Sequence, residues 1–112
     1  MPKTPRANKA KGRTYQNYIA RELMKVVPGK LKGQLMGQSG TDIIDIDNVL
    51  PWDYTEVKHH KLYPSLEKLN RLATSEKGKQ IFFVRANRSP NLVIMNLEMF
   101  QELLAAIYAA DR

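Results

Sequence analysis

The sequence predicts a mixed α/β (α+β) single domain: a central sheet of about four strands flanked by helices, in the order α-β-β-α-β-β-α. Three observations carry this reading. Apolar residues recur at spacings of three and four in separate stretches near the start, middle and end of the chain. Between them lie short runs with strand character, among them Ile43-Ile44 and Ile81-Phe82-Phe83-Val84. The 112 residues are 43% hydrophobic and contain no internal repeat, which fits one core.

Residues 1–12 contain two prolines, several cations and no bulky apolar residue after Met1, and are expected to form a basic flexible arm ahead of a domain spanning 13–112. From Arg13 or Thr14 to Val27, Tyr15, Tyr18, Ile19, Leu23 and Val26 mark a helix that Pro28-Gly29 stops. Pro28 to Thr41 reads as a loop, with glycines at 29, 33, 37 and 40. Asp42 to Asp47 and Tyr54 to His60 read as the two strands of a β-hairpin with a long connection. Pro64-Ser65 opens a short helix with Leu66, Leu69, Leu72 and Ala73 on one face. Gln80 to Arg85, nearly all apolar, suits an interior strand. Leu92 to Met95 returns as another strand. Asn96 then caps a last helix whose buried stripe should be Phe100, Leu103, Leu104, Ile107 and Tyr108.

The formal net charge of +7 is unevenly placed. Residues 1–32 carry nine Lys or Arg against one acid, Glu22, a net of +8; residues 33–112 carry nine bases against ten acids, a net of −1. A basic region on a nearly neutral body is the footprint of a polyanion binder, usually of nucleic acid, although a solubilising tail has the same composition. With no cysteine, disulfides and thiolate zinc sites are excluded. No apolar run approaches the roughly 20 residues needed to span a bilayer, and no signal-peptide segment is recognisable. The expectation is an intracellular, cytoplasmic protein.

The chemistry concentrates at Asp42 and Glu56-Val57-Lys58. Side chains alternate along a strand, so Glu56 and Lys58 share one face and Val57 takes the other. An acid and a lysine at that spacing, beside a strand carrying another acid, can hold a divalent cation and a positive group together. Phosphodiester cleavage needs both. Glu22 falls on the inward side of the first helix, where a carboxylate needs a partner: an internal cation in a structural role, or a metal-bound water in a functional one. The loop before Asp42 lacks the spacing of a nucleotide-binding loop, and is either a connector or a substrate-contacting segment. Adjacent His59 and His60 point to opposite faces of a strand, so substrate contact or exposure suits them better than joint zinc ligation. Asp45 and Asp47 read as solvated charges, Trp52 and Tyr54 as hairpin packing, and Met95 and Met99 as core.

Glu22 on a helix, Ser39-Gly40-Thr41-Asp42 before one strand and Glu56-Val57-Lys58 on the next, followed by a helix and two strands, resemble the PD-(D/E)xK nuclease superfamily. The likeness is closest to the small archaeal and phage Holliday junction resolvases and covers roughly residues 12–104. Thr41 stands where the motif's proline would precede Asp42, and the polar residue of the following helix falls on either Lys61 or Lys68. The resemblance implies a restriction-endonuclease-like core and metal-dependent hydrolysis of DNA phosphodiesters. It implies Mg²⁺ or Mn²⁺ held by Asp42, Glu56, the Val57 carbonyl and Glu22, directly or through water, with Lys58 orienting the attacking water or stabilising charge on the phosphate. Candidate DNA contacts are Lys9, Lys11, Arg13, Lys30, Lys32, Gln38, Ser39, His59 and Lys61. A homodimer would place two active sites on the two strands of a branched DNA. The alternatives are a non-catalytic nucleic-acid-binding module on the same fold, and a structural α/β protein whose basic arm binds RNA.

Overall fold

The computed structural model describes residues 5–35, 40–75 and 79–110, with side chains at 12–35, 40–71 and 79–109. Helix α1 runs from Pro5 to Met24, well ahead of the Arg13 or Thr14 start read from the apolar period. Pro5 suits a first helical position, since its φ is preset and the missing N–H would have no partner there anyway. Ala7, Lys9, Ala10 and Lys11 are good helix formers, so a helix can grow there with no apolar stripe to announce it. Residues 1–4 lie outside the described residues.

The loop expected over 28–41 contains a strand. β1 (Leu31–Gly33) pairs antiparallel with β2 (Ile43–Asp45), with Leu31 opposite Asp45. The predicted hairpin between β2 and the next strand is therefore corrected: the ladder partner of β2 is β1. β3 (Tyr54–His60) instead pairs along its whole length, in parallel, with β4 (Gln80–Ala86). The connection 46–53 is no hairpin turn either. The Asp45 carboxylate accepts the N–H groups of Val49 (2.9 Å) and Leu50 (2.7 Å), Asp47 accepts that of Lys30 (2.7 Å), and Asn48 takes a left-handed φ of 52°. Both acids are thus turn-formers as well as surface charges.

α2 (Leu66–Ser75) makes the crossover that a parallel pair requires, and β5 (Leu92–Ile94) adds antiparallel to β4. Among the described residues there are three helices and five strands, in a two-stranded sheet β1-β2 and a three-stranded mixed sheet β3-β4-β5. β4 is covered on both faces, as its apolar run predicts. Ile81 and Phe83 join Tyr15, Ile19, Leu31, Ile43 and Val57 under α1, while Phe82 and Val84 pack with Leu69 of α2. Met99 is buried and Met95 packs on the main core.

α3 (Leu97–Ala110) is capped as expected, by Asn96 accepting the Met99 N–H at 2.8 Å. Its predicted buried stripe is not buried. Phe100, Leu104, Ile107 and Tyr108 are 48, 39, 60 and 68% exposed, and Leu103 is half-buried. The stripe is apolar, but nothing described in this chain covers it. No helix among the described residues is long and apolar enough to cross a membrane.

Candidate functional site

The two sheets meet edge to edge at Thr41 and Asp42. The Asp42 N–H donates to the Thr55 carbonyl (2.8 Å), and the Thr55 N–H donates to the Thr41 hydroxyl (2.9 Å), which itself donates to the Ile43 carbonyl (2.9 Å). The Asp42 carbonyl accepts the Gln34 N–H at 2.8 Å, and Asp42 Oδ2 accepts the Val57 N–H at 2.8 Å. Main chain on both sides therefore fixes Asp42. Thr41 does this with a hydroxyl, which a proline in its place would lack. In turn, Thr55 Oγ1 accepts the Trp52 indole N–H at 2.7 Å, and Trp52 packs on Phe83, the structural role expected of it.

A strand residue directs its N–H and C=O to the same edge. Because the Val57 N–H meets Asp42, the Val57 carbonyl also lies on the edge away from β4. The register puts Glu56 beside Phe82 and Lys58 beside Val84, on the α2 side of the sheet, and Val57 on the α1 side. Glu56 is 7% exposed and its Oε1 lies 2.9 Å from Lys58 Nζ. The strand thus delivers the predicted acid–lysine pair on one face and brings Asp42 to the adjoining edge.

Burial pushes the Asp42 carboxyl up to about 6. The Val57 N–H opposes that rise, the Glu56 charge adds to it, and the Lys58 charge opposes it again. Asp42 thus feels both members of the pair. A carboxylate held above its ordinary range beside a second carboxylate is short of positive charge, which is the electrostatic demand a cation meets.

Glu22 stands apart. It pairs with Lys25 one turn on and bonds the Tyr18 hydroxyl, and these hold its carboxyl below the usual range. Its predicted inward position is corrected: Ile19 and Leu23 face the core, and Glu22 lies at the margin of their face, half-exposed. Among the described residues no three His, Asp or Glu side chains converge. Glu22→Gln should therefore leave the melting temperature and any cleavage rate unchanged; melting curves and a time course with Mg²⁺ check this.

The predicted nucleic-acid contacts are scattered. Arg13 and Lys32 line one cleft between α1 and β1. Lys30 and Lys61 are exposed in loops. His59 lies on the face opposite Glu56 and Lys58, its ring centroid 5.2 Å from that of Tyr15, so it serves packing. The side chains of Lys9 and Lys11, and all of Gln38 and Ser39, lie outside the described residues. Sequence reasoning missed Gln34, whose main chain anchors Asp42, and Arg21, whose four-residue spacing from Asn17 and eight from Arg13 was the available signal.

Comparison with protein-family models, with curated proteins and with solved structures finds no match to this chain.

Proposed function

We propose that the chain is a metal-dependent DNA endonuclease of restriction-endonuclease-like fold, acting on branched DNA such as a four-way junction. One observation carries the reading: Asp42, the Val57 edge and the Glu56–Lys58 pair, distant in sequence, are brought to one place by a fixed hydrogen-bond frame. The donors are hard oxygens, two carboxylates and one carbonyl, and they fit Mg²⁺ or Mn²⁺ better than softer metals. When bound, such an ion supplies charge neutralisation at the phosphate and a more acidic water. Asp42 and Glu56 would hold it with the Val57 carbonyl. Lys58, partly exposed beside Glu56, would orient the attacking water or balance charge on the phosphoryl oxygens. Incubation with a synthetic four-way junction and matched duplexes, with Mg²⁺ or EDTA, tests this. Junction cleavage that EDTA abolishes is expected; intact DNA in every arm refutes it.

A second reading, a binding module that does not cut, draws support from Glu22, whose pairing with Lys25 leaves two acids where the resemblance implies three. The same incubation separates the two, since a non-catalytic module retards the junction without cutting it.

We further propose that a second copy of the chain covers α3. Residues 103–110 carry no charge, and the exposed side chains from Leu97 to Tyr108 offer on the order of several hundred Å² of apolar surface, the scale of one side of a standard interface at about 800 Å² per partner. Ile107→Glu is expected to convert a dimer to a folded monomer in sedimentation velocity, with far-UV dichroism unchanged. A wild type that is monomeric at 100-fold dilution and at high concentration alike would remove this proposal.

A further inference from the structure

Between α1 and β1 lies a cleft of about 540 Å³, within the roughly 300–1,000 Å³ typical of small-molecule sites. Arg13 and Arg21 of α1 and Lys32 of β1 bring three cations to it, and no acid lines it among the described residues. Arg13, Asn17 and Arg21 recur every four residues, so one helix face presents all three. The floor is different in kind: Leu31 and Ala20 are buried there, beside Met24. Gly33 lets the Asn17 amide come close, because a Cβ at that position would stand 2.8 Å from Asn17 Oδ1. Gln34 closes the end nearest the candidate site, its N–H bonded to the Asp42 carbonyl. Its Oε1 accepts the Leu35 N–H at 3.0 Å, so the amide NH₂ is what it offers a ligand.

A cationic surface alone would suit the phosphates of any duplex. An apolar floor inside a ring of cations and side-chain amides suits a nucleotide whose base has left the stack, because only an unstacked base has a face to lay down. We propose that this cleft binds one unpaired nucleotide of a nucleic-acid strand, the phosphate on Arg13, Arg21 and Lys32 and the base on Met24 and Leu35, with Asn17 and Gln34 at its polar edge. The proposal rests on the nucleic-acid reading above and narrows it: the substrate carries unpaired nucleotides next to the bond presented to Asp42, as flaps do and as a four-way junction does only where its branch point opens. No aromatic ring lines the cleft, so affinity comes from several weak contacts and depends strongly on salt.

The test is fluorescence anisotropy in EDTA, which separates binding from cutting. The full chain is titrated against labelled dT12 and against a hairpin duplex with the same number of phosphates, at several salt concentrations. Tighter binding of dT12 is expected. Arg21→Gln/Lys32→Gln, both exposed positions, should weaken dT12 binding about 10-fold or more and shrink its salt slope by up to roughly 0.7, the value for one phosphate contact on a single strand. Duplex binding should change less than 3-fold. A nucleoside 5′-monophosphate should compete where equal inorganic phosphate does not. Unchanged dT12 affinity in the double variant, equal losses on both DNAs, or equal competition by phosphate would each overturn the nucleotide site. Tight, cleft-dependent binding by a protein that never cuts would refute the nuclease reading and leave this site standing.

Discussion

Asp42→Asn is expected to melt several degrees above the wild type at pH 8 without metal, while losing metal-dependent cleavage by two orders of magnitude or more. The carboxyl titrates near 6 in the folded chain against 3.8 unfolded. Between those values the folded state keeps a proton the unfolded state has released, so stability falls as pH rises from about 4 to about 6 and stays low above. A full shift would be worth about 3 kcal/mol at about 1.4 kcal/mol per unit. Asp42 is only partly buried, so solvent screening brings the expected penalty nearer 1–2 kcal/mol. Asparagine removes the charge and can still accept the Val57 N–H, so that penalty disappears, a gain of about 5–10 °C for a domain of this size. Melting curves from pH 4 to 8 should slope downward for the wild type and lie flat for the variant. Mg²⁺ should restore the wild type at pH 8 and leave the variant unmoved. A wild type whose stability rises from pH 4 to 6, with no other titrating group to account for it, would contradict the buried-carboxylate assignment.

Glu56→Gln is expected to act in the opposite sense, lowering stability while also abolishing cleavage. Glu56 is nearly buried and compensates Lys58, whose side chain is 28% exposed. Removing one charge of a fully buried pair costs about 3–5 kcal/mol; the water Lys58 can reach reduces this to about 1–3. One effect works against the loss, since without the Glu56 charge Asp42 is easier to ionise. Burial and the Val57 bond both act on Asp42 more strongly than Glu56 does, so most of the Asp42 penalty stays in the variant. Glu56→Gln with Lys58→Met should regain most of the lost stability and none of the activity. Paired urea titrations of the single and double variants measure the coupling. A single variant as stable as the wild type would show that the pair contributes nothing to the fold.

The opposite stability effects expected at two acids are not visible in the sequence. Alternation on a strand sufficed to place Glu56 and Lys58 together and Val57 opposite, because that rule is local. The partner of β2 was not legible, since strand pairing is decided by what else competes for an edge. β1 hides among glycines with only Leu31 as an apolar anchor, and β4 claims β3 from beyond a helix. Asp42 nevertheless meets the strand between Glu56 and Lys58, at the Val57 N–H, by an edge contact in place of the expected ladder. Glu22 misled for a related reason: helical periodicity gives the phase of a face but not how wide a strip of it is covered, and Lys25 lay within reach. For α3 the apolar stripe was read correctly, but a sequence pattern does not say whether the covering surface belongs to the same chain.

Thr41 and Asp42 have a mechanical consequence. They fasten the two sheets edge to edge with a few hydrogen bonds, while α1 lies across both on one side. One sheet carries Lys32 of the cleft, with Gln34 just past its end; the other carries Glu56 and Lys58. Of the fasteners, the Asp42 carboxylate is the one that titrates, and its hold on the Val57 N–H changes with charge and with what else it binds. The candidate centre is therefore also the joint between the two halves of the molecule. A cation bound at Asp42 would compete with the Val57 N–H and so bear on how one half seats against the other, and a strand held in the cleft would act on that same joint through Gln34.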